Sequence, residues 1–201
     1  MAEVLEIVAA VLASITSSTM ILISDRRLRI GLLGFQYLAV FFLVQIEWSL
    51  IQALTILISG WIAGVVLGMA ESNISINRLE EVREIEKFPS INPVFKILSS
   101  AVIGLIAFSL VFQVMNLIPE LDSFQSWTAL LLIGLGVLYV TFETQPISIT
   151  LGLLTILSGF EIFYSGLTSS VLTLAFLSGI TLFLALTGTY LFLAPMMEDR
   201  S

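Results

Sequence analysis

The sequence predicts an all-α protein, a polytopic membrane bundle of about seven transmembrane helices. Three observations carry that expectation. The chain is 58% hydrophobic and only 11% charged, with a mean hydropathy of +1.07, whereas soluble domains are about half apolar and a quarter charged. A chain of 201 residues cannot enclose that much apolar surface in a core of its own, so lipid is the expected solvent for much of it. The few charges are also confined to breaks between apolar intervals of spanning length. Finally, the basic residues all fall on one side of the zigzag that those intervals trace.

The charged residues leave the intervals 7–24, 30–46, 48–70, 97–119, 123–142, 144–160 and 162–197, and a span needs about 20 largely apolar residues. Only Glu161 separates the last two intervals, so 144–197 reads as one tract, long enough for two spans. The segment from Tyr164 to Ser170 supplies the turn between them. Helices are therefore expected near 4–24, 29–46, 48–70, 96–118, 125–142, 147–165 and 169–194. With seven spans and an external N-terminus, Arg26, Arg27, Arg29, Arg78, Arg83, Lys87, Lys96 and Arg200 share one side. The positive-inside rule makes that side cytoplasmic. The external turns then carry the acids Glu3, Glu6, Glu47, Glu120 and Asp122, with Trp48 and Trp127 at the external helix ends as amphipathic anchors. The C-terminus is expected in the cytoplasm. An acidic start, Met1 to Glu6, argues against a cleavable signal peptide.

Segment 71–95 is the only long water-exposed stretch expected. Ile76, Leu79, Val82, Ile85 and Phe88 recur every third residue among charged neighbours, which predicts a short amphipathic helix on the cytoplasmic interface. It reads either as a spacer or as a docking face for a cytoplasmic partner. The expected divisions are thus a first three-helix unit over 1–70, this linker over 71–95, a connecting span over 96–118 and a second unit over 119–201.

With no cysteine and no histidine, haem, zinc and iron–sulfur sites are not expected. No other cofactor or nucleic-acid partner is expected either. The net charge of −7 says little else about partners, because in a membrane chain the position of each charge matters more than the sum. Gly60, Gly64 and Gly68, spaced by four, predict a packing groove for another helix. Gln36 is expected to pack by hydrogen bonding between helices. Ser109, Gln113 and Asn116, like Ser14, Thr16, Ser17, Ser18 and Thr19, read as interhelical hydrogen-bonding groups.

Glu161 is the candidate of greatest interest. An ionisable group inside a span is costly to keep charged and points to function by default. Thr155, Ser158 and Ser165 follow its helical face, so Glu161, Ser158 and Thr155 form the candidate proton path. The bland alternative is a neutral glutamate bonding a neighbouring helix.

Leu33-Gly34-Phe35-Gln36-Tyr37 aligns with Ser158-Gly159-Phe160-Glu161-Ile162, an offset of 125 residues. Helices 1–3 and 5–7 would then be copies of one unit, a 3+1+3 parallel duplication in which the fourth span restores the orientation. Gly159-Phe160-Glu161 resembles the Gly-Leu-Glu segment on the middle helix of the small K-type membrane subunit of respiratory complex I. The C subunit of multisubunit cation/proton antiporters is similar in its three-helix plan. Arg26-Arg27 followed by Gly34-Phe35-Gln36 resembles the paired arginines and the same segment of that subunit. In size and layout the chain is most similar to component E of hydrogenase-4 type complexes. There are departures: Leu174 to Thr189 lacks the family's second intramembrane glutamate, Glu143-Thr144-Gln145-Pro146 stands where paired arginines are expected, and Gln36 replaces a glutamate.

The resemblance implies a membrane-arm subunit of a complex I-like or hydrogenase-like ion-translocating assembly in a prokaryotic cytoplasmic (inner) membrane. It would pack against larger antiporter-like subunits, contribute Glu161 to a proton path, and leave the redox chemistry to other subunits, being no enzyme by itself. The residues leave two alternatives open: a small stand-alone proton-coupled transporter, and a non-transporting scaffold for a cytoplasmic partner at 71–95.

Overall fold

A computed structural model describes residues 2–23, 25–72, 92–117, 122–167 and 170–198. Among them all regular structure is helical: α1 (Ala2–Leu22), α2 (Arg26–Val44), α3 (Leu50–Ser72), α4 (Pro93–Leu117), α5 (Ser123–Phe142), α6 (Pro146–Ser165) and α7 (Val171–Glu198). All seven are long and apolar enough to cross a membrane, and the chain is an integral membrane protein. The expected amphipathic helix falls mostly on 73–91, outside the described residues.

Local chemistry sets the helix edges. α2 begins three residues before the expected 29–46 because Asp25 caps it, accepting the Arg27 backbone N–H at 3.0 Å. Arg26, Arg27 and Arg29 are thereby drawn out of the turn and into helix. Asp122 and Gln125 form a capping box at the head of α5, and Pro146 opens α6, where a missing N–H costs nothing. α3 runs through Ser72 and α4 starts at Pro93, so both overrun the expected linker boundaries.

The helices pack like with like. α1 lies against α5, α2 against α6 and α3 against α7, while neighbours in sequence also pack within each trio. α2 and α6 run parallel, since their contacts climb in step: Arg29 to Ser148, then Gln36 to Ser158, then Trp48, just past α2, to Tyr164. The two aligned triplets are presented alike. Phe35 and Phe160 point outward, and Gln36 and Glu161 are fully buried. This is the arrangement that a parallel 3+1+3 repeat requires.

The tightest contact is α5 on α6. A Cβ at Gly136 would stand 2.8 Å from the Gly152 carbonyl, and one at Gly159 2.7 Å from the Ala129 carbonyl. Only glycine lets the two backbones approach so closely. The expected glycine stripe on α3 behaves differently along its length. Gly60 receives the Tyr37 ring, whereas a side chain added at Gly64 would meet nothing within 4 Å and one at Gly68 only Ile30 at 3.9 Å.

Several expectations need correction. Trp48 is not an interfacial anchor but a buried residue, edge-on to Tyr164 at 6.1 Å. Glu6 lies within α1 and is buried, not in a turn. On α1, Ser14, Thr16 and Thr19 return their hydroxyls to carbonyls of their own helix, as such residues do mid-helix. Ser17 is the α1 hydroxyl that also reaches another helix. On α4, Ser109, Gln113 and Asn116 are exposed rather than bonded between helices. That helix sits at the edge against α5 and, more lightly, α1, with only 11% of its span buried.

Candidate functional site

The α2–α6 interface carries a polar seam through an otherwise apolar bundle. At the arginine end, Arg29 projects inward from the first turn of α2. Its guanidinium donates to the Ile23 carbonyl at 2.5 Å, to Ser148 Oγ at 3.1 Å and to Glu143 Oε1 at 2.9 Å. The Tyr139 ring lies 5.3 Å away, within cation–π range. Lys96 Nζ stands 3.7 Å from the same carboxylate oxygen and donates to the Ile21 carbonyl. One carboxylate thus ties α2 and α4 to the end of α5. The guanidinium suits this place because its planar fork can serve several acceptors at once.

Gln36 occupies the middle of the seam. Its Nε2 donates to Ser158 Oγ at 2.8 Å, and its Oε1 accepts from Ser17 Oγ at 3.2 Å. The amide therefore joins α1, α2 and α6. Ser17 has one proton and two acceptors, the other being the Ala13 carbonyl at 2.8 Å, so that proton is shared.

Glu161 lies one turn further along α6, where α2, α6 and α7 meet. It is fully buried, and among the described residues neither carboxyl oxygen has a hydrogen-bond partner. The polar neighbours are Tyr37 from α2 and Thr181 from α7. Tyr37 Oη is likewise without a hydrogen-bond partner among the described residues. Thr181 stands beside both groups, but its hydroxyl is directed at the Leu177 carbonyl, 3.1 Å away. Gly60 fixes the Tyr37 ring from behind.

An ionised carboxylate in this position would exchange its hydration for the neutral hydroxyls of Tyr37 and Thr181, with no cation beside it among the described residues. The neutral acid needs only one acceptor for its O–H, and Tyr37 and Thr181 both offer an oxygen. The arrangement therefore suits a group that holds a proton and exchanges it when a donor, an acceptor or water is brought near.

The hydroxyls expected to solvate Glu161 do not. Thr155, Ser158 and Ser165 are buried on the same helix, yet they donate to the Leu151, Thr155 and Ile162 carbonyls. Of the expected path residues, Ser158 alone joins the interhelical seam. Tyr37 and Thr181 are the partners that the helical face of α6 could not reveal, because they arrive from other helices. Arg29 and Glu143 also escaped notice as a pair. The signal was present in the two turns, one basic and one acidic at matched places in the proposed repeat. Among the described residues no group of three or more carboxylates could hold a metal ion.

Neither a family model nor a curated protein nor a solved structure matches the chain.

Proposed function

We propose that the chain is a membrane-arm subunit of a complex I-like or hydrogenase-like ion-translocating assembly, with Glu161 as its protonatable group. The observation that carries this reading is the Glu161 carboxyl, fully enclosed where the two trios meet and, among the described residues, without a hydrogen-bond partner on either oxygen. Such a group is retained inside a bundle at a cost, which favours a role in moving charge. The seam of Gln36, Ser158 and Ser17 beside it gives hydroxyl and amide groups along the same interface.

A partner in the membrane is favoured by α4. Its outward face sets Ser109, Gln113 and Asn116 among exposed Leu105, Phe108 and Phe112, and polar groups on a lipid-facing span gain from a facing helix. Larger antiporter-like subunits are the partners this reading names, with the arginine end in the cytoplasm by the positive-inside rule.

The experiment is to tag the C-terminus, solubilise native membranes in a mild detergent and identify what accompanies the chain. The expected result is recovery with large multispanning antiporter-like subunits. Recovery of the chain alone, or only with copies of itself, overturns the subunit reading and favours a stand-alone transporter. Recovery with a soluble protein alone favours the scaffold.

A further inference from the structure

The outer face of the α2–α3 hairpin carries a groove that the proton reading does not use. Ile30, Gly31, Gly34 and Phe35 of α2 and Trp61 and Gly64 of α3 line an almost wholly apolar cavity of about 410 Å³. At its arginine end Ile30 also belongs to a second, more polar cavity of about 290 Å³, lined by Arg27, Gly68, Glu71 and Ser72. Ile30 borders both, so the polar recess, or mouth, adjoins the end of the apolar slot.

The mouth has unused polar capacity. Glu71 is 7% exposed, and among the described residues its Oε2 has no hydrogen-bond partner. Arg27 is exposed beside it. Ser72 is already committed, donating to the Met69 carbonyl at 3.0 Å. The charged groups facing Glu71 are Arg26, Arg27 and Arg29 on α2 and Asp25 at its cap. Arg29 is paired with Glu143, which leaves, among the described residues, the cations Arg26 and Arg27 and the anions Asp25 and Glu71 near the mouth.

We propose that this groove binds one zwitterionic phospholipid with a primary ammonium headgroup. An acyl chain lies along Gly31, Gly34 and Gly64, the phosphate meets Arg27, and the ammonium donates to Glu71. The apolar slot excludes a polar ligand, and the surrounding lipid supplies chains at high local concentration. The balanced mouth selects the headgroup. A purely anionic lipid would set its charge against Glu71 and Asp25, and a quaternary ammonium has no N–H to donate to the open Oε2. A helix of 10–12 Å diameter with its side chains is a poorer match to a slot of this volume than a single chain.

The test uses the purified full-length chain, delipidated and offered equal amounts of dioleoyl phosphatidylethanolamine, phosphatidylcholine and phosphatidylglycerol, with retained lipid read by native mass spectrometry. One phosphatidylethanolamine per chain is expected in preference to the other two. Glu71→Gln should lower that preference about tenfold, the loss of one charge-assisted hydrogen bond, while Arg27→Gln weakens all three lipids. Gly64→Leu should abolish retention with an unchanged circular dichroism spectrum, since the first atom of the new side chain enters open space. Equal retention of the three headgroups, or retention unaffected by Gly64→Leu, overturns the proposal in favour of bulk lipid. A dimer that Gly64→Leu dissociates overturns it in favour of a second copy in the groove.

Discussion

Arg29→Met isolates the ionic seam and has a magnitude that can be worked from the structure. The side chain makes hydrogen bonds to the Ile23 carbonyl, Ser148 and Glu143, and the Arg29 and Glu143 side chains are 7% and 15% exposed. Removing one member of a buried pair typically costs about 3–5 kcal/mol, because the other charge is left without its counterion. Lys96 still stands 3.7 Å from Glu143, which places the expected cost at the low end, about 3 kcal/mol. Neutral hydrogen bonds between membrane helices average about 0.6 kcal/mol, so the ion pair rather than the Ser148 bond should dominate. The assay is equilibrium unfolding of the purified chain from dodecyl maltoside into sodium dodecyl sulfate, followed by tryptophan fluorescence and circular dichroism. The Arg29→Met, Glu143→Gln double variant should be more stable than Arg29→Met alone, by about 2 kcal/mol, since neither charge is then buried unpaired. A single-variant cost below about 1 kcal/mol, or strictly additive effects in the double variant, would refute this account of the seam.

Further outcomes follow from the same geometry. Gln36→Leu should cost about 1 kcal/mol, well below Arg29→Met, because it removes neutral bonds to Ser17 and Ser158; the same unfolding series checks the order. Gly159→Ala should destabilise by about 1–3 kcal/mol, as its Cβ would press on the Ala129 carbonyl at 2.7 Å. Gly64→Ala should be neutral or gain up to about 1 kcal/mol, and equal effects at the two glycines would refute the assigned contacts. If the chain is the membrane-arm subunit proposed, Glu161→Gln should leave the parent complex assembled, judged by native gel, and lower its proton pumping in inverted vesicles. Unchanged pumping would remove the functional claim for Glu161.

Membrane solubility made the fold legible. Charges cannot stand in a span without penalty, so the charge-free intervals, with the turn at Tyr164 to Ser170 dividing the last tract, place all seven helices to within a few residues. The head of α2 differs through its cap: Asp25 captures the Arg27 N–H and extends α2 backward through the arginines. Packing partners were far less legible, because a small-residue stripe gives no sign of which face another helix covers. Gly60, Gly64 and Gly68 have the regular spacing, yet the closest backbone approach uses Gly136, Gly152 and Gly159 on two different helices. The candidate site divides in the same way. Glu161 stood out as the one acid within the last apolar tract, while Tyr37 and Thr181 reach it only through tertiary structure. Ser109, Gln113 and Asn116 show that a polar stripe on a span can face outward, a distinction that depends on neighbours the chain itself does not specify.

The polar seam has a further consequence for how the two trios recognise each other. The arginine and the amide sit on α2, while Glu143, Ser148 and Ser158 that receive them belong to α5, α6 and the turn between these helices. The halves are therefore plug and socket rather than interchangeable copies. Two first halves would leave Arg29 without its carboxylate, and two second halves would leave Glu143 without Arg29. If 1–72 and 92–201 were made as separate chains, each should ignore its twin and seek the other, forming an obligate heterodimer from what one polypeptide now holds together.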